Sequence, residues 1–369
     1  ATPIISFTAT EAGYYLDPAH RLDPMQKEFA DDIARVQGGA AGVTIYGAMA
    51  TILRARMRAD AGAVTLLNCD NLRHNGERFR QALVAFLELV GDAELREWVM
   101  ANTSCPNAMV DRITPRAPAE LGQRVRRATG RDDAAAITAE SFIQWVIEDD
   151  FIAGRPDWER VGVQMVDSVQ AWEEAKIRIL NASHSAIAWA GTLVGLQFIH
   201  EGTQTPAIRQ IAYDYVTDDV MPCLAGAAPE GAIDLAAYRD VVLERFGNPA
   251  IRDTNQRVAM DGFAKIPGFI APTVRERLAA GASIDSVAML PALFLAFLQT
   301  WHRGALQYVY QDQAMDPAAA HALCTAADPV AALCADRTLW DELAGDARLV
   351  DAVRGAGRRV AALVPGGAP

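Results

Sequence analysis

Three side chains that could bind an alcohol and accept its proton occur within one short segment of the chain. The segment reads AWEEAKIRILNASHS and contains Lys176, Asn181 and His184. At 100° per residue on an α-helix, these side chains and that of Glu173 fall within an arc of about 140°. A solvated polar face explains most clusters of this kind. Here, however, residues 179–200 contain no Asp, Glu, Lys or Arg, and polar groups at the start of a buried element indicate a site.

This set of side chains suits the oxidation of a secondary alcohol by hydride transfer. A lysine ordinarily titrates near ~10.4, and desolvation lowers that pKa towards neutrality, where the amine accepts and returns an alcohol proton. A carboxamide donates an uncharged hydrogen bond to a developing alkoxide. A neutral imidazole can hold a neighbouring hydroxyl. Base, alkoxide donor and hydroxyl anchor are therefore all present in one segment.

A second segment, residues 66–79, reads LLNCDNLRHNGERF and follows an apolar run. It lies where a strand of a parallel sheet is expected to end, which is where such sheets bind ligands. Asn71 is its best-placed carboxamide. A turn-forming and helix-capping role for Asp70, Asn71, Asn75 and Gly76 explains the composition equally well.

The third segment, residues 257–269, reads RVAMDGFAKIPGF. Its two cations, Arg257 and Lys265, can bind the hydroxyl groups of a substrate. Solvated surface charges explain such a pair about as well, so the segment in isolation leaves both interpretations open.

The elements that position these segments fall into two types along the chain. Short β-rich runs at residues 4–8, 64–68 and 142–147 alternate with helical periods at residues 26–37, 47–61, 75–89 and 117–128. This alternation predicts an α/β unit with a parallel sheet. After about residue 166 the pattern is helical throughout, as at residues 206–220, 235–245, 273–279 and 290–308. We therefore expect an α/β domain and then an all-helical domain, meeting near residue 165.

Composition narrows the class of protein. The 369 residues are enough for two domains, and 51% of them are apolar. A formal net charge of -12 excludes nucleic acid and anionic membrane surfaces as expected partners. Residues 179–200 contain no Asp, Glu, Lys or Arg, but they include several uncharged polar side chains and His. This polarity is too high for a helix that spans a lipid bilayer, so we expect a helix buried within protein. The last six residues, VPGGAP, have the composition of a loose tail.

The cysteines and the first residues indicate the compartment. None of the five cysteines forms a C-x-x-C pair, so no zinc framework is expected and the thiols are expected to be reduced and buried. The first fifteen residues lack the basic and apolar regions of a signal peptide. We therefore predict a cytoplasmic protein that requires no metal.

Taken in order, the segments resemble the long-chain polyol dehydrogenases, the mannitol dehydrogenase family. The resemblance is carried by CDNLRHNG, MVDRITP, EDDFIAGRPDWERVGVQ, KIRILNASHS and DGFAKIPGFIAPT. It covers nearly the whole chain. It implies a Rossmann-type dinucleotide-binding domain over residues 1–165, an all-helical substrate domain over residues 166–369, NAD as cofactor and a monomer.

The resemblance also implies roles for the residues of the first two segments. Lys176 would be the general acid/base of an oxidoreductase. Asn71 and Asn181 would stabilise the alkoxide, and His184 would contact the substrate.

Further roles are implied for residues elsewhere in the chain. Arg257 and Lys265 would bind the distal hydroxyls of the substrate. Glu173 would lie beside the path by which the proton leaves. Asp111 would line the site and, with Asn71, contact the cofactor.

One feature of the family has no counterpart in this sequence. Members open with a glycine-rich turn whose backbone amides receive the cofactor pyrophosphate. No G-x-G-x-x-G occurs here, and the nearest pattern, residues 355–357, lies close to the C terminus. We therefore expect the first strands of the Rossmann domain to be absent, together with the acidic residue that selects NAD over NADP.

The substrate is expected to be an acyclic polyol. The segments are nearest to the members that oxidise D-arabinitol to D-xylulose, with mannitol 2-dehydrogenases second. Uronate reductases are third, because Arg257 or Lys265 could supply the cation that a substrate carboxylate needs. A catalytically inert, partner-binding scaffold is the alternative class, although Lys176, Asn181 and His184 would have no joint use in it. A metal-dependent alcohol dehydrogenase would need clustered Cys and His ligands.

Overall fold

The computed structural model describes residues 2–17, 21–115, 117–226 and 233–363. The predicted tail at residues 364–369 lies outside this range. The chain forms two compact units. Unit 1 consists of Ala1–Arg112 and Phe142–Glu173, and unit 2 consists of Ile113–Ser141 and Glu174–Pro369.

A parallel sheet organises unit 1. Its strands are β1 (Ile4–Phe7), β2 (Val64–Asn68) and β3 (Thr103–Ser104), in the order β1-β2-β3. All five residues of β2 are buried, as expected for a parallel strand covered on both faces. The predicted strands at residues 4–8 and 64–68 are confirmed. The two-residue strand β3 has no pattern from which it could have been predicted.

A second small sheet in unit 1 contains β4 (Ala108–Asp111), β5 (Gln144–Glu148) and β6 (Gln164–Val166). Strand β5 pairs in parallel with β6 and antiparallel with β4. The antiparallel pair was not predicted. The strand predicted at residues 142–147 begins two residues later, at Gln144.

Helices cover the parallel sheet of unit 1. Its α-helices are α1 (Lys27–Gln37), α2 (Ile45–Arg58), α3 (Asn75–Val90) and α4 (Ala93–Asn102), and short 3₁₀ turns lie at Glu11–Tyr14 and Trp158–Val161. The predicted helices at residues 26–37, 47–61 and 75–89 are confirmed to within three residues at their ends. Tyr46, Leu53, Phe79 and Phe86 are fully buried where these helices pack together. Helix α4 was not predicted.

Unit 2 is helical, and its second segment begins within helix α6, at Glu174. Its α-helices are α5 (Leu121–Thr129), α6 (Gln170–Ala175), α7 (Ala182–Leu193), α8 (Ile199–Gln204), α9 (Pro206–Asp214), α10 (Met221–Leu224), α11 (Leu235–Phe246), α12 (Asn255–Ala259), α13 (Gly262–Lys265), α14 (Ala271–Ala279), α15 (Met289–His302), α16 (Pro317–Thr325), α17 (Pro329–Ala335), α18 (Arg337–Trp340) and α19 (Ala347–Leu363). Three π-helical segments, Lys176–Asn181, Tyr215–Val220 and Ile266–Ile270, and a 3₁₀ turn at Asp341–Leu343 interrupt them.

Two predicted helices are shorter or less regular than expected. The helix predicted at residues 206–220 is α9 followed by the π-helical segment Tyr215–Val220. The helix predicted at residues 290–308 ends at His302. Gly304, just beyond that end, has a φ of +66°, a left-handed conformation that commonly terminates helices.

The prediction of one buried helix over residues 179–200 is wrong in its continuity. Helix α7 ends at Leu193, and Gly195 then adopts a φ of +80° before α8 begins. The side chain of Asn255 donates to the carbonyl of Leu196 over 3.0 Å, which satisfies a backbone group in the break. The break thus depends on a residue about sixty positions away.

Residues 113–141 pack in unit 2, whereas a single boundary near residue 165 would place them in the first domain. Ile113 belongs to the core of unit 2. The buried carboxylate of Glu140 accepts from the Ile113 backbone N–H over 2.5 Å and from Arg245 Nη2 over 2.7 Å. This ion pair attaches the segment of residues 113–141 to α11, which contains Arg245.

Among the described residues, no helix combines the length and apolarity needed to cross a bilayer. No three His, Cys, Asp or Glu side chains in the same part of the chain converge as metal ligands would. All five cysteines carry free thiols, and those of Cys324 and Cys334 are buried.

Candidate active site

A π turn lies at the centre of the predicted site. The segment Lys176–Asn181 is π-helical, and the N–H of Ala182 donates to the carbonyl of Ile177, five residues earlier. In an α-helix Lys176 and Asn181 would stand about 140° apart. In a helix bonded from i to i+5 each turn holds more residues, so the angle between the two side chains is smaller. The predicted α-helical arc is therefore wrong in detail, and the observed turn brings these two residues onto one face.

Lys176 and Asn181 differ in how far they are buried. Lys176 is buried, with 8% of its surface exposed. Asn181 is half-buried, and its backbone carbonyl accepts from the Ser185 hydroxyl over 2.9 Å. The side-chain carboxamide of Asn181 makes no hydrogen bond to another described residue. A carboxamide in this state is available to a ligand.

His184 is held as a neutral imidazole in unit 2. Its ring stacks on Phe246 with the centroids 4.3 Å apart. Burial lowers the pKa of His184 to about 3, and the nearby cations Arg257, Lys265 and Arg245 act in the same direction, against the opposing effect of Asp253. A neutral imidazole can both donate to and accept from a hydroxyl.

Asp253 is a residue of this region that the sequence did not single out. It is 5% exposed, and its Oδ2 lies 3.4 Å from Nε2 of His184. Its other oxygen accepts from Nε of Arg257 over 2.6 Å, and Nη2 of Arg257 donates to Oδ2. In the sequence, Asp253 precedes Thr254, the N-cap of α12. An acidic residue is common at the start of a helix, so its position gave no sign of a functional role.

Lys265 completes this group of charges. Its Nζ donates to the carbonyl of Val258 over 2.5 Å. Burial lowers the pKa of Lys265 to about 8, with a smaller contribution from Arg257, while Asp261 and other carboxylates oppose the shift. We refer to His184, Asp253, Arg257 and Lys265 as the His184 cluster. The fold of unit 2 therefore joins the first and third predicted segments.

In unit 1, the structure distinguishes between the two asparagines of the second segment. Asn75 is fully buried, and its Nδ2 donates to the carbonyls of Asp70 and Ala108 over 3.3 and 2.8 Å. Its Oδ1 accepts from the N–H groups of Gly76 and Ala108 over 2.8 and 3.0 Å. Asn75 is thus committed to backbone groups, whereas Asn71 is exposed in the loop after β2.

Buried polar groups fix the base of that loop. The hydroxyl of Tyr14 donates to Asp70 over 2.5 Å and accepts from Nδ2 of Asn68 over 2.6 Å. Burial raises the pKa of Asp70, against the lowering effect of the hydrogen bond from Tyr14 and of others from nearby groups. This network orients the turn that carries Asn71.

The other two predicted residues also lie in unit 1 and are buried. Glu173 accepts over 3.0 Å from the backbone N–H of His74, the N-cap of α3, which has a φ of 53°. Asp111 lies at the end of β4, opposite Gln144 of β5. Glu173 thus supports a turn in this structure, and its place on a proton path stays a prediction, as does the role of Asp111.

A close backbone approach next to this loop yields a stability prediction. A Cβ atom on Gly76 would lie 2.3 Å from the carbonyl oxygen of Cys105 and 2.4 Å from that of Pro106. We expect Gly76→Ala to lower the free energy of unfolding by about 1–3 kcal/mol, the usual cost of overpacking a rigid site. Urea denaturation followed by circular dichroism measures this difference.

The matched control is Gly122→Ala in the exposed part of α5, where an added Cβ meets no atom within 4 Å. That change is expected to be neutral or slightly stabilising, because alanine has the higher helix propensity. Equal denaturation midpoints for the two variants would contradict the close-approach argument.

Comparison with known proteins places the chain in a family. Residues 7–160 match the mannitol dehydrogenase Rossmann domain, and residues 168–361 match the mannitol dehydrogenase C-terminal domain. The chain belongs to the mannitol dehydrogenase family, as the motifs predicted. The predicted fold class, an α/β domain followed by a helical domain, and the predicted enzyme class, a polyol dehydrogenase, are confirmed.

Two curated relatives that are identical to this chain at more than half of the aligned positions are both D-arabinitol 4-dehydrogenases. The chain is 58% identical over 362 residues to a D-arabinitol 4-dehydrogenase of Ralstonia nicotianae, covering 98% of this chain and 76% of that protein. It is 53% identical to a D-arabinitol 4-dehydrogenase of Klebsiella pneumoniae, covering 96% and 76%. A solved structure of Pseudomonas fluorescens mannitol 2-dehydrogenase with NAD and D-mannitol is 34% identical, with a TM-score of 0.81 over 98% of this chain and 73% of that one.

Proposed function

We propose that the protein oxidises D-arabinitol to D-xylulose with NAD as the hydride acceptor, and that Lys176 is the general acid/base. The observation that carries this proposal is the π turn. It places a buried amine and an uncommitted carboxamide on one face of a helix, in the unit that also holds the neutral imidazole of His184. These are the groups that removal of a proton and a hydride from a secondary alcohol requires.

The residues of unit 2 divide the work between them. The amine of Lys176 takes the proton of the substrate hydroxyl as the C–H hydride leaves. Asn181 donates a hydrogen bond to the oxygen on which negative charge develops, and carries no charge of its own. His184 holds a neighbouring hydroxyl. Arg257 and Lys265 bind hydroxyls further along the substrate.

The cofactor fits the edge of the sheet in unit 1. The parallel strands β1 and β2 end together at Phe7 and Asn68, and the carboxyl edge of such a sheet is where dinucleotides bind. Asn71, exposed in the loop after β2, is the polar side chain we assign to the cofactor and to the alkoxide. Asp111 is assigned to the cofactor as well, on the family resemblance. When bound, NAD supplies the hydride acceptor.

The choice of substrate is supported by the relatives. The two at 58% and 53% identity are both named D-arabinitol 4-dehydrogenases, whereas a mannitol 2-dehydrogenase of Pyrenophora tritici-repentis is 34% identical. Mannitol is therefore the second candidate substrate.

A substrate panel tests this choice. NADH formation is followed at its absorbance band with D-arabinitol, D-mannitol and D-sorbitol, and each product is identified by chromatography. We expect the highest kcat/KM with D-arabinitol and D-xylulose as its product. A higher kcat/KM with D-mannitol would reassign the substrate. The absence of any activity with every polyol and with both NAD and NADP would favour a catalytically inert, partner-binding scaffold.

A further inference from the structure

The backbone of the π turn leaves one carbonyl without its usual helical donor. In an α-helix the N–H of Ala182 would donate to the carbonyl of Arg178, four residues earlier. Here that N–H donates to the carbonyl of Ile177 instead. The Arg178 carbonyl accepts from the hydroxyl of Tyr215 over 3.0 Å. A side chain 37 positions away thus takes the place of the helical donor.

Tyr215 lies in the core of unit 2, with its hydroxyl directed at the Arg178 carbonyl and also close to the side chain of Thr273. It is fully buried and begins the second π-helical segment, Tyr215–Val220. A buried carbonyl without a donor is unfavourable because it has lost its hydrogen bond to water. The Tyr215 hydroxyl therefore stabilises the arrangement in which the Ala182 N–H is shifted by one residue.

The side chain of Arg178 is held as firmly as its backbone. Its Nε donates to Glu174 over 2.7 Å, and its Nη1 and Nη2 donate to Glu276 over 2.8 and 2.7 Å. Arg178 therefore stays in place, and the register of the helix around it is the part that can change.

We propose that Tyr215 is a positioning residue for the reaction of Lys176. Its hydroxyl keeps the segment Lys176–Asn181 in the π register and so keeps Lys176 on the face that carries Asn181. Without that hydrogen bond, the Arg178 carbonyl regains the N–H of Ala182 and the turn becomes α-helical. Lys176 and Asn181 then stand about 140° apart. This inference rests on the proposed role of Lys176.

The test is the variant Tyr215→Phe, which keeps the buried ring and removes only the hydroxyl. We expect kcat to fall by at least about 10- to 100-fold, because a misplacement of a reacting group by only about 1 Å can already cost about 100-fold. NADH affinity and the KM for substrate are expected to be unchanged. The matched control is Tyr308→Phe in the same unit, which removes a hydroxyl bonded to Thr192 over 2.8 Å and should leave kcat unchanged.

Two further readouts separate positioning from a general loss of structure. The pH profile of kcat should change in Tyr215→Phe and stay unchanged in Tyr308→Phe, because only the first variant moves the base. A crystal structure of Tyr215→Phe should show the Ala182 N–H donating to the Arg178 carbonyl.

The outcomes distinguish this inference from the proposed function. An unchanged kcat in Tyr215→Phe, together with an inactive Lys176→Ala, would overturn the positioning role alone. An active Lys176→Ala would overturn the proposed function. Failure of Tyr215→Phe to fold would also count against the inference, because a hydrogen bond that only sets the register should not decide folding.

Discussion

Replacement of Lys176 by alanine is expected to lower kcat for polyol oxidation by about 10²- to 10⁴-fold, the usual contribution of a positioned general base. The amine lies buried on the face that the π turn gives it, so water does not readily replace it as proton acceptor. NADH affinity should be unchanged, because the variant alters neither the sheet of unit 1 nor its loops. Steady-state kinetics and NADH fluorescence titration measure the two quantities.

The control for this variant is Lys265→Met, which removes the second lysine of unit 2. Burial lowers the pKa of Lys265 to about 8, so its ammonium form is present below that pH and is lost as the pH rises through it. If Lys265 binds substrate hydroxyls as a cation, KM rises above about pH 8 in the wild type. This pH dependence should vanish in Lys265→Met and persist in Lys176→Ala.

A wild-type kcat in Lys176→Ala would place the base elsewhere in the chain. Loss of NADH affinity in the same variant would show that the substitution disturbs more than proton transfer. A pH dependence of KM that survives in Lys265→Met would remove Lys265 from substrate binding without affecting the assignment of the base.

The second large effect is expected from Asn181→Ala, which should lower kcat by about 10²- to 10³-fold, as loss of one alkoxide donor does in other enzymes. The carboxamide makes no hydrogen bond to another described residue, so its removal should not destabilise the fold. Asn181→Asp should lower kcat further, because an ionised carboxylate repels the developing negative charge. Single-turnover measurements with C-deuterated substrate report the hydride step directly.

Asn248→Ala is the matched control, since it truncates a carboxamide in an exposed turn of unit 2 that accepts from the Ala250 N–H over 2.9 Å. Its kcat should equal that of the wild type. If Asn181→Ala raised KM and left kcat unchanged, Asn181 would bind ground state and transition state equally, and the alkoxide role would be wrong.

The two types of domain and the family could be predicted from the amino-acid sequence alone. The largely apolar run at Val64–Asn68 predicts a strand of a parallel sheet, because Thr65 is its only polar residue before Asn68. The KIRILNASHS segment contains Lys176, Asn181 and His184. The reactions that these side chains can take part in follow from their residue types alone. These features are local, so they could be predicted without knowing what packs against them.

The choice between Asn71 and Asn75 already required tertiary contacts. Both residues suit a turn or a helix start by composition. Asn75 is held in a structural role in part by the backbone groups of Ala108, which β4 brings beside the loop, whereas Asn71 is exposed.

The geometry of the site was decided by tertiary structure in the same way. A periodicity of 3.6 residues cannot reveal a π turn, because the turn depends on the Tyr215 hydroxyl, which lies 37 positions from the carbonyl it satisfies. Asp253 lies four residues before Arg257 in the sequence, but only the fold brings it beside His184. Hydrogen bonds and ion pairs between distant positions leave no local pattern, and they set which face of the helix Lys176 and Asn181 share.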